Sequence, residues 1–265
     1  MMETNDVTEP DQSLPEQGWS DTSAGGLVHN PTRTQIYQTS AMRSRRRRIL
    51  HETRRMIAER GLDGFSVREL CRNADIAQRT LYNAFQSKDR LVAIAIREAY
   101  EEVNSCLHYR TSPDTIEGIV DRLIAVNMRN FKARNYTRAV VSLYFSPSID
   151  QDVWDSLRAM VFLNLNQWLD RIEREAWLAP WAKKEKVAGD IANLEYSIIA
   201  DWAHGRIPDK DYVPQLIVGV LSYAAGVTRG QAQRDVLAML DGIGQTGELP
   251  EQALPIYRPR ATNRE

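Results

Sequence analysis

From residue 43 to about residue 243, apolar side chains recur every three or four positions, the period of a helix that buries one face. Short breaks rich in Pro, Gly or Asp separate these runs, and no stretch shows the two-residue alternation of a strand. The pattern predicts helices near 43–60, from Ser66 onward, over about 77–83, and from Ser87 to about 109. Further helices are expected from Pro113–Asp114 and over about 136–145, 150–178, 183–204, 212–228 and 230–243. In the first, Ile49, Leu50, Thr53, Met56 and Ile57 share the inward face, and Gly61 supplies a left-handed stop. Ser66 caps the second, whose Val67, Leu70, Cys71 and Ala74 face inward. The 212–228 helix is apolar most of the way round, so it needs more than one neighbour. The fold class is therefore all-α.

Residues 1–40 carry too few aliphatic side chains to offset the entropy of ordering them, and are expected to form a disordered tail. Residues 246–265 are expected to be a second, flexible tail. Between them lie a candidate DNA-binding domain at 41–90 and a larger helical domain at 91–245. Met1–Gly26 lacks the basic start and apolar stretch of a secretory signal. The most apolar run, Leu216–Val227, falls short of the roughly 18 residues a membrane span needs. Cys71 and Cys106 form neither a CxxC nor a disulfide framework, so the expected setting is the reducing cytoplasm, away from the membrane.

Charge sharpens the division. Thirteen basic and six acidic side chains between Ala41 and Arg90 give that stretch +7, leaving −8 for the rest of a chain whose net charge is −1. A positive module on a negative body suits a polyanionic partner for one part only. A solvated helix face explains some of these cations, including Arg43–Arg48, which alternatively form an arm along phosphates or a groove.

Within that module, residues 65–82 read as two short helices joined by a tight turn. Val67, Leu70, Cys71 and Ala74 pack against Ile76 and Leu81, with Phe85 beneath. Turning Leu81 inward leaves Gln78, Arg79, Tyr82 and Asn83 outward. Gln and Arg suit the bidentate reading of adenine and guanine edges in a major groove. Lys88, beside the free N–H groups that follow Ser87, makes a phosphate clamp.

The run from Arg48 to Leu91, and above all Thr-Leu-Tyr-x-x-Phe-x-Ser-Lys-x-x-Leu from Thr80 to Leu91, resembles the N-terminal domain of tetracycline-repressor (TetR) family regulators. The resemblance implies that Gln78, Arg79 and Thr80 meet bases and that Tyr82 and Lys88 hold phosphates. Ser66 and Arg68 would approach the backbone or a base. Three positions depart from the family pattern: Asp75 stands for the usual turn Gly, Ala77 for the N-capping Ser or Thr, and Ala84 for a phosphate-contacting His. Asp tolerates a left-handed turn, so the turn is expected to survive.

The same resemblance implies a C-terminal body that encloses a small, apolar or aromatic effector and pairs with a second subunit. Effector candidates are Asn164, Trp154, Trp168, Phe162, Tyr144 and His108, with Glu195 beside them; large rings at helical spacing also serve simply as core. Asn164 shares the stripe of Leu157, Val161 and Trp168, so it needs a hydrogen-bond partner, either local or an effector. For a homodimer interface, the helix at 212–228 beside 187–202 offers Ile191, Ile198, Trp202, Leu216, Val220 and Tyr223.

The expected function is a ligand-responsive repressor that binds a palindromic double-stranded operator, with no enzymatic activity, cofactor or metal. His29, His51, His108 and His204 lack metal-ligand spacing, and no nucleophile elbow or phosphate loop occurs. Gly242-Ile243-Gly244-Gln245-Thr246-Gly247 spells GxGxxG but follows a helix and precedes Pro250, the wrong setting for a dinucleotide. Two alternatives stay open: a small-molecule-binding enzyme, and an architectural protein that binds any duplex.

Overall fold

The structure, a computed structural model, describes residues 33–250 and 255–257. The chain divides into two units, Met1–Ala41 and Met42–Glu265. Of the first, the described part is the beginning of one helix; every contact below lies within the second. Among the described residues the order is α1 (Arg33–Arg60), α2 (Val67–Asn73), α3 (Gln78–Phe85), α4 (Lys88–Asn104), β1 (Leu107–His108), α5 (Ile116–Asn130) and a 3-10 turn (Phe131–Ala133). Then follow α6 (Arg134–Tyr144), α7 (Gln151–Arg174), α8 (Lys184–Ala203), α9 (Asp209–Val227), α10 (Gly230–Thr246) and β2 (Ile256–Tyr257). The architecture is all-α, with one two-residue ladder in which Leu107 faces Tyr257 and His108 faces Ile256.

In the head, Ile49, Leu50, Thr53, Met56 and Ile57 of α1 are buried. Gly61 ends the helix at φ 72°, its N–H donating to Ile57 O at 2.8 Å. Ser66 caps α2 by accepting from Glu69 N, and Ser87 caps α4 by accepting from Arg90 N. Between α2 and α3 Asp75 adopts φ 52°, the left-handed turn expected of it. Leu81 and Phe85 then drop into a core shared with Phe65, Leu70, Ala74 and Leu91.

In the body, α8 packs on α6, α7 and α9, while α9 packs on α5, α8 and α10. That explains the nearly all-round apolarity of α9, and it bears on the expected dimer surface. Ile191, Ile198, Trp202, Leu216 and Val220 are all buried within the single chain. Trp202 stacks on Tyr212 at 4.4 Å, with Phe131 edge-on to both. Tyr223 is half-buried and donates to Asp190 Oδ2 at 2.8 Å.

Some boundaries differ from the sequence expectation. Helix α1 begins at Arg33, inside the stretch assigned to the N-terminal tail; residues 1–32 lie outside the described residues. The fourth helix stops at Asn104, because a turn at Ser105–Cys106 leads into β1. The expected C-terminal tail contributes Thr246 to α10, Gly247 as its left-handed cap at φ 71°, and β2; residues 251–254 and 258–265 lie outside the described residues. Gly242 and Gly244 sit inside α10, so GxGxxG forms no phosphate loop. Helix α4 runs unbroken across position 90, joining head to body. No helix among the described residues is long and apolar enough to cross a membrane.

Candidate nucleic-acid interface and ligand cavity

Burial of Leu81 and Phe85 fixes which side of α3 faces out. Gln78, Arg79, Tyr82 and Asn83 are exposed, Tyr82 at 41%, and Thr80 is half-buried beside them. Ala77, the N-cap position of α3, makes no side-chain cap bond, so the N–H groups there lack the usual internal acceptor. Ser66 and Arg68 are exposed at the start of α2. Lys88, at the start of α4, holds its ammonium 5.6 Å from the Phe65 ring centroid, which orients it along the same end of the head. Ala84 is exposed and offers no polar contact.

The positive charge of the head falls into two groups. Arg46 pairs with Glu98, Arg54 with Glu98 and Glu102, Arg55 with Glu52 and Glu59, Arg60 with Glu69, and Arg90 with Asp152. Arg43, Arg45, Arg47, Arg48, Arg68, Arg72, Arg79 and Lys88 have no ion pair among the described residues. The unpaired set divides between Arg79 on the outward side of α3 with Arg68, Arg72 and Lys88 on α2 and α4, and four arginines on α1.

The head is tied to the body at several points. Arg54 Nε on α1 donates to Ala95 O on α4 at 3.1 Å, and Arg97 Nη1 donates to Ser156 Oγ on α7 at 3.1 Å. Arg90 Nη2 lies 2.6 Å from the Asp152 carboxylate at the start of α7. Asn135 Nδ2 on α6 reaches Ala58 O on α1 at 3.2 Å.

A cavity of about 490 Å³ opens among α1, α4, α5, α6, α7 and α8, within the range of small-molecule sites. Arg54 and Ala58 of α1 belong to its wall, so the cavity touches the head directly. The surface the wall presents is mostly apolar, and Asn164 and Glu195 are deeply buried in it. Asn164, 5% exposed, donates to the Tyr100 hydroxyl at 2.7 Å, so its partner is 64 residues away rather than in its own helix. Glu195, 4% exposed, accepts from Asn127 Nδ2 at 3.3 Å through Oε1. Burial without a cationic partner pushes its carboxyl up to about 7. Asn127 also accepts from the Tyr212 hydroxyl, and Asn130 joins that group through a 2.9 Å bond to the same hydroxyl.

Of the six effector candidates, Asn164 lines this cavity, as does Glu195; the rings stand elsewhere. Tyr144 stacks on Tyr196 at 4.1 Å, one ring removed from the wall, and with Trp154 it lines a separate pocket of about 270 Å³. Trp168 is buried in the core. Phe162 is half-buried under the Arg158 guanidinium. His108 is exposed on β1. The wall residues missed by sequence reading, Tyr100, Arg129, Lys132 and Tyr136 among them, come from helices whose rotation about their axes is set by tertiary packing.

Residues 49–94 match the family model described as bacterial regulatory proteins, tetR family. The HTH-type transcriptional repressor KstR2 of Mycolicibacterium smegmatis is 30% identical over 101 residues, covering 38% of this chain and 48% of the relative. KstR2 of Mycobacterium tuberculosis is 32% identical over 101 residues, covering 38% and 50%. The chain thus spans about half the length of the curated relatives it matches. Among solved structures, a TetR transcriptional regulator from Rhodococcus sp. RHA1 superposes with a TM-score of 0.53 at 15% identity, over 69% of this chain and 97% of its own. Thermus thermophilus FadR, a TetR-family transcriptional repressor in complex with lauroyl-CoA, gives 0.54 at 14% identity, over 71% and 97%. At such identities the likeness is one of fold. The Thr80–Leu91 motif, the geometry of the head and the matched model agree that residues 49–94 are similar to the N-terminal domain of bacterial regulatory proteins of the tetR family, and the chain shares the fold of the solved regulators.

Proposed function

We propose that this chain is a homodimeric transcriptional repressor. Each subunit lays α3 into a major groove of a near-palindromic operator, with the two grooves about 34–36 Å apart. The observation that carries this reading is the exposed row Gln78, Arg79, Tyr82 and Asn83, held rigidly by Leu81 and Phe85 and free of ion pairs among the described residues. Gln78, Arg79 and Thr80 read base edges. Tyr82 and Lys88 hold phosphates, and Ser66 and Arg68 follow the backbone. The KstR2 relatives are named as repressors, which favours repression over activation.

The cavity is the effector site. Its wall includes Arg54 and Ala58 of the head helix, so a ligand that fits one head position better than another shifts the equilibrium between them by its differential affinity. Since the inner faces of α8 and α9 are used within the chain, the second subunit docks on their outer faces, where Leu194 is half-buried and Ser197, Val218 and Ser222 are exposed. The regulator acts in the cytoplasm, where its operator is.

Selection from a random duplex pool followed by footprinting tests the DNA part. The expected result is one protected site made of two inverted half-sites. Uniform protection would make the chain an architectural binder, and no retained duplex would end the reading. Light scattering at micromolar concentration tests the pairing; a monomer would remove it.

A further inference from the structure

The cavity wall carries an unsatisfied positive charge. Arg129 Nη1 is buried and meets no hydrogen-bond partner among the described residues. No carboxylate among them pairs with Arg129, nor with Lys132, which lines the same cavity and is exposed. Arg54, the third basic residue of the wall, already has its charge matched by Glu98 and Glu102. Arg129 itself is half-buried, and its Nη1, shut from solvent with no acceptor, is a donor that calls for a ligand, ion or water to complete it.

The one carboxyl of the wall does not supply that partner. Glu195 takes its hydrogen bond from Asn127, and its other oxygen, Oε2, also lacks a partner among the described residues. Burial pushes its carboxyl up to about 7, so it is mostly protonated below that pH and only half ionised there. Much of the remaining surface is aliphatic, with Val103, Val126, Val140, Met160, Val161 and Ile199. An ammonium ligand seeking Glu195 would meet two uncompensated cations in the same wall, whereas an anion would complete them.

We propose that the ligand of this cavity is an amphiphilic anion, with an apolar body packed on the aliphatic wall and a carboxylate or phosphate head bound by Arg129 and Lys132. The proposal deepens the effector reading given above and rests on it for its regulatory meaning. An anionic head on a guanidinium gains a charge-assisted, bidentate hydrogen bond that a neutral head lacks.

The test measures the free protein without DNA, by titration calorimetry. The probes are a linear set (decanoate, decanol and decyltrimethylammonium) and a bicyclic set (2-naphthoate and 2-naphthol), all well below any micelle concentration. At least one carboxylate is expected to bind about tenfold or more tighter than its matched alcohol, with the cation weakest. Arg129→Lys should keep the preference for the anion, and Arg129→Gln should erase it while leaving the melting temperature of the empty protein unchanged or higher. Equal affinity for matched heads, preference for the cation, binding of neither carboxylate, or an undiminished preference in Arg129→Gln would each overturn the proposal. So would unfolding of Arg129→Gln, because the guanidinium has no hydrogen bond or ion pair among the described residues to lose and glutamine keeps most of the stem. A chain that shows the anion preference but retains no duplex would remove the regulator reading and leave this one standing.

Discussion

Asn127 on α5 donates its amide hydrogen to Glu195 on α8 across 3.3 Å, and this is the one hydrogen bond the buried Glu195 carboxyl has among the described residues. Asn127, Tyr196 and Tyr212 around it are neutral, so desolvation dominates and raises its pKa from 4.5 to about 7. The folded chain therefore holds a proton that the unfolded chain has released between those two values. Stability falls as pH rises through that window and stays lower above it. Glu195→Gln removes the penalty: its advantage over the parent should be small near about pH 5 and reach on the order of 3 kcal/mol by about pH 8. Urea unfolding at the two pH values checks this, and a difference independent of pH would contradict the burial account.

Asp75 occupies a left-handed conformation at φ 52° in the turn between α2 and α3. A residue with a Cβ is strained there and glycine is not. Asp75→Gly is expected to raise stability by about 0.5–1 kcal/mol without changing DNA affinity. Thermal unfolding reads the first effect. A fall in melting temperature would mean that the Asp75 side chain holds the turn by a contact stronger than its backbone strain.

Lys88 sits at the N-terminal end of α4 with no ion pair among the described residues. Phosphate contacts carry no base information and release counterions. Lys88→Ala should weaken every duplex alike and reduce the slope of log affinity against log salt by about 0.9. Binding measured on selected and scrambled duplexes over a salt series decides; a loss confined to the selected site would reassign Lys88 to base reading.

The head was legible in the sequence because its cues are local. Leu81 and Phe85 lie four residues apart and both turn inward, which leaves Gln78, Arg79, Tyr82 and Asn83 outside. The caps at Ser66 and Ser87 and the stop at Gly61 are equally local and appear where expected. The cavity was legible only in Asn164 and Glu195, polar residues on apolar stripes. Trp168 lies one turn beyond Asn164 on the same stripe, yet the wall has turned away from α7 by that point and the ring packs into the core. The role of the apolar faces of α9 is not legible for a related reason: all-round apolarity counts a helix's neighbours without saying whose they are, and here α5, α8 and α10 of the same chain supply them. The two-residue β1–β2 ladder is too short to leave a periodic trace.

The reading side of α3 is the centre of the account, and Arg79 tests it most directly because it is exposed and makes no ion pair or hydrogen bond among the described residues. The measurement is equilibrium binding of Arg79→Ala and its parent to the selected duplex and to its single-base variants. The expected result is a loss of about 1–3 kcal/mol on the selected duplex, with discrimination abolished at one base pair of each half-site and the melting temperature unchanged. Unaltered discrimination at every position would contradict the claim that this surface reads DNA.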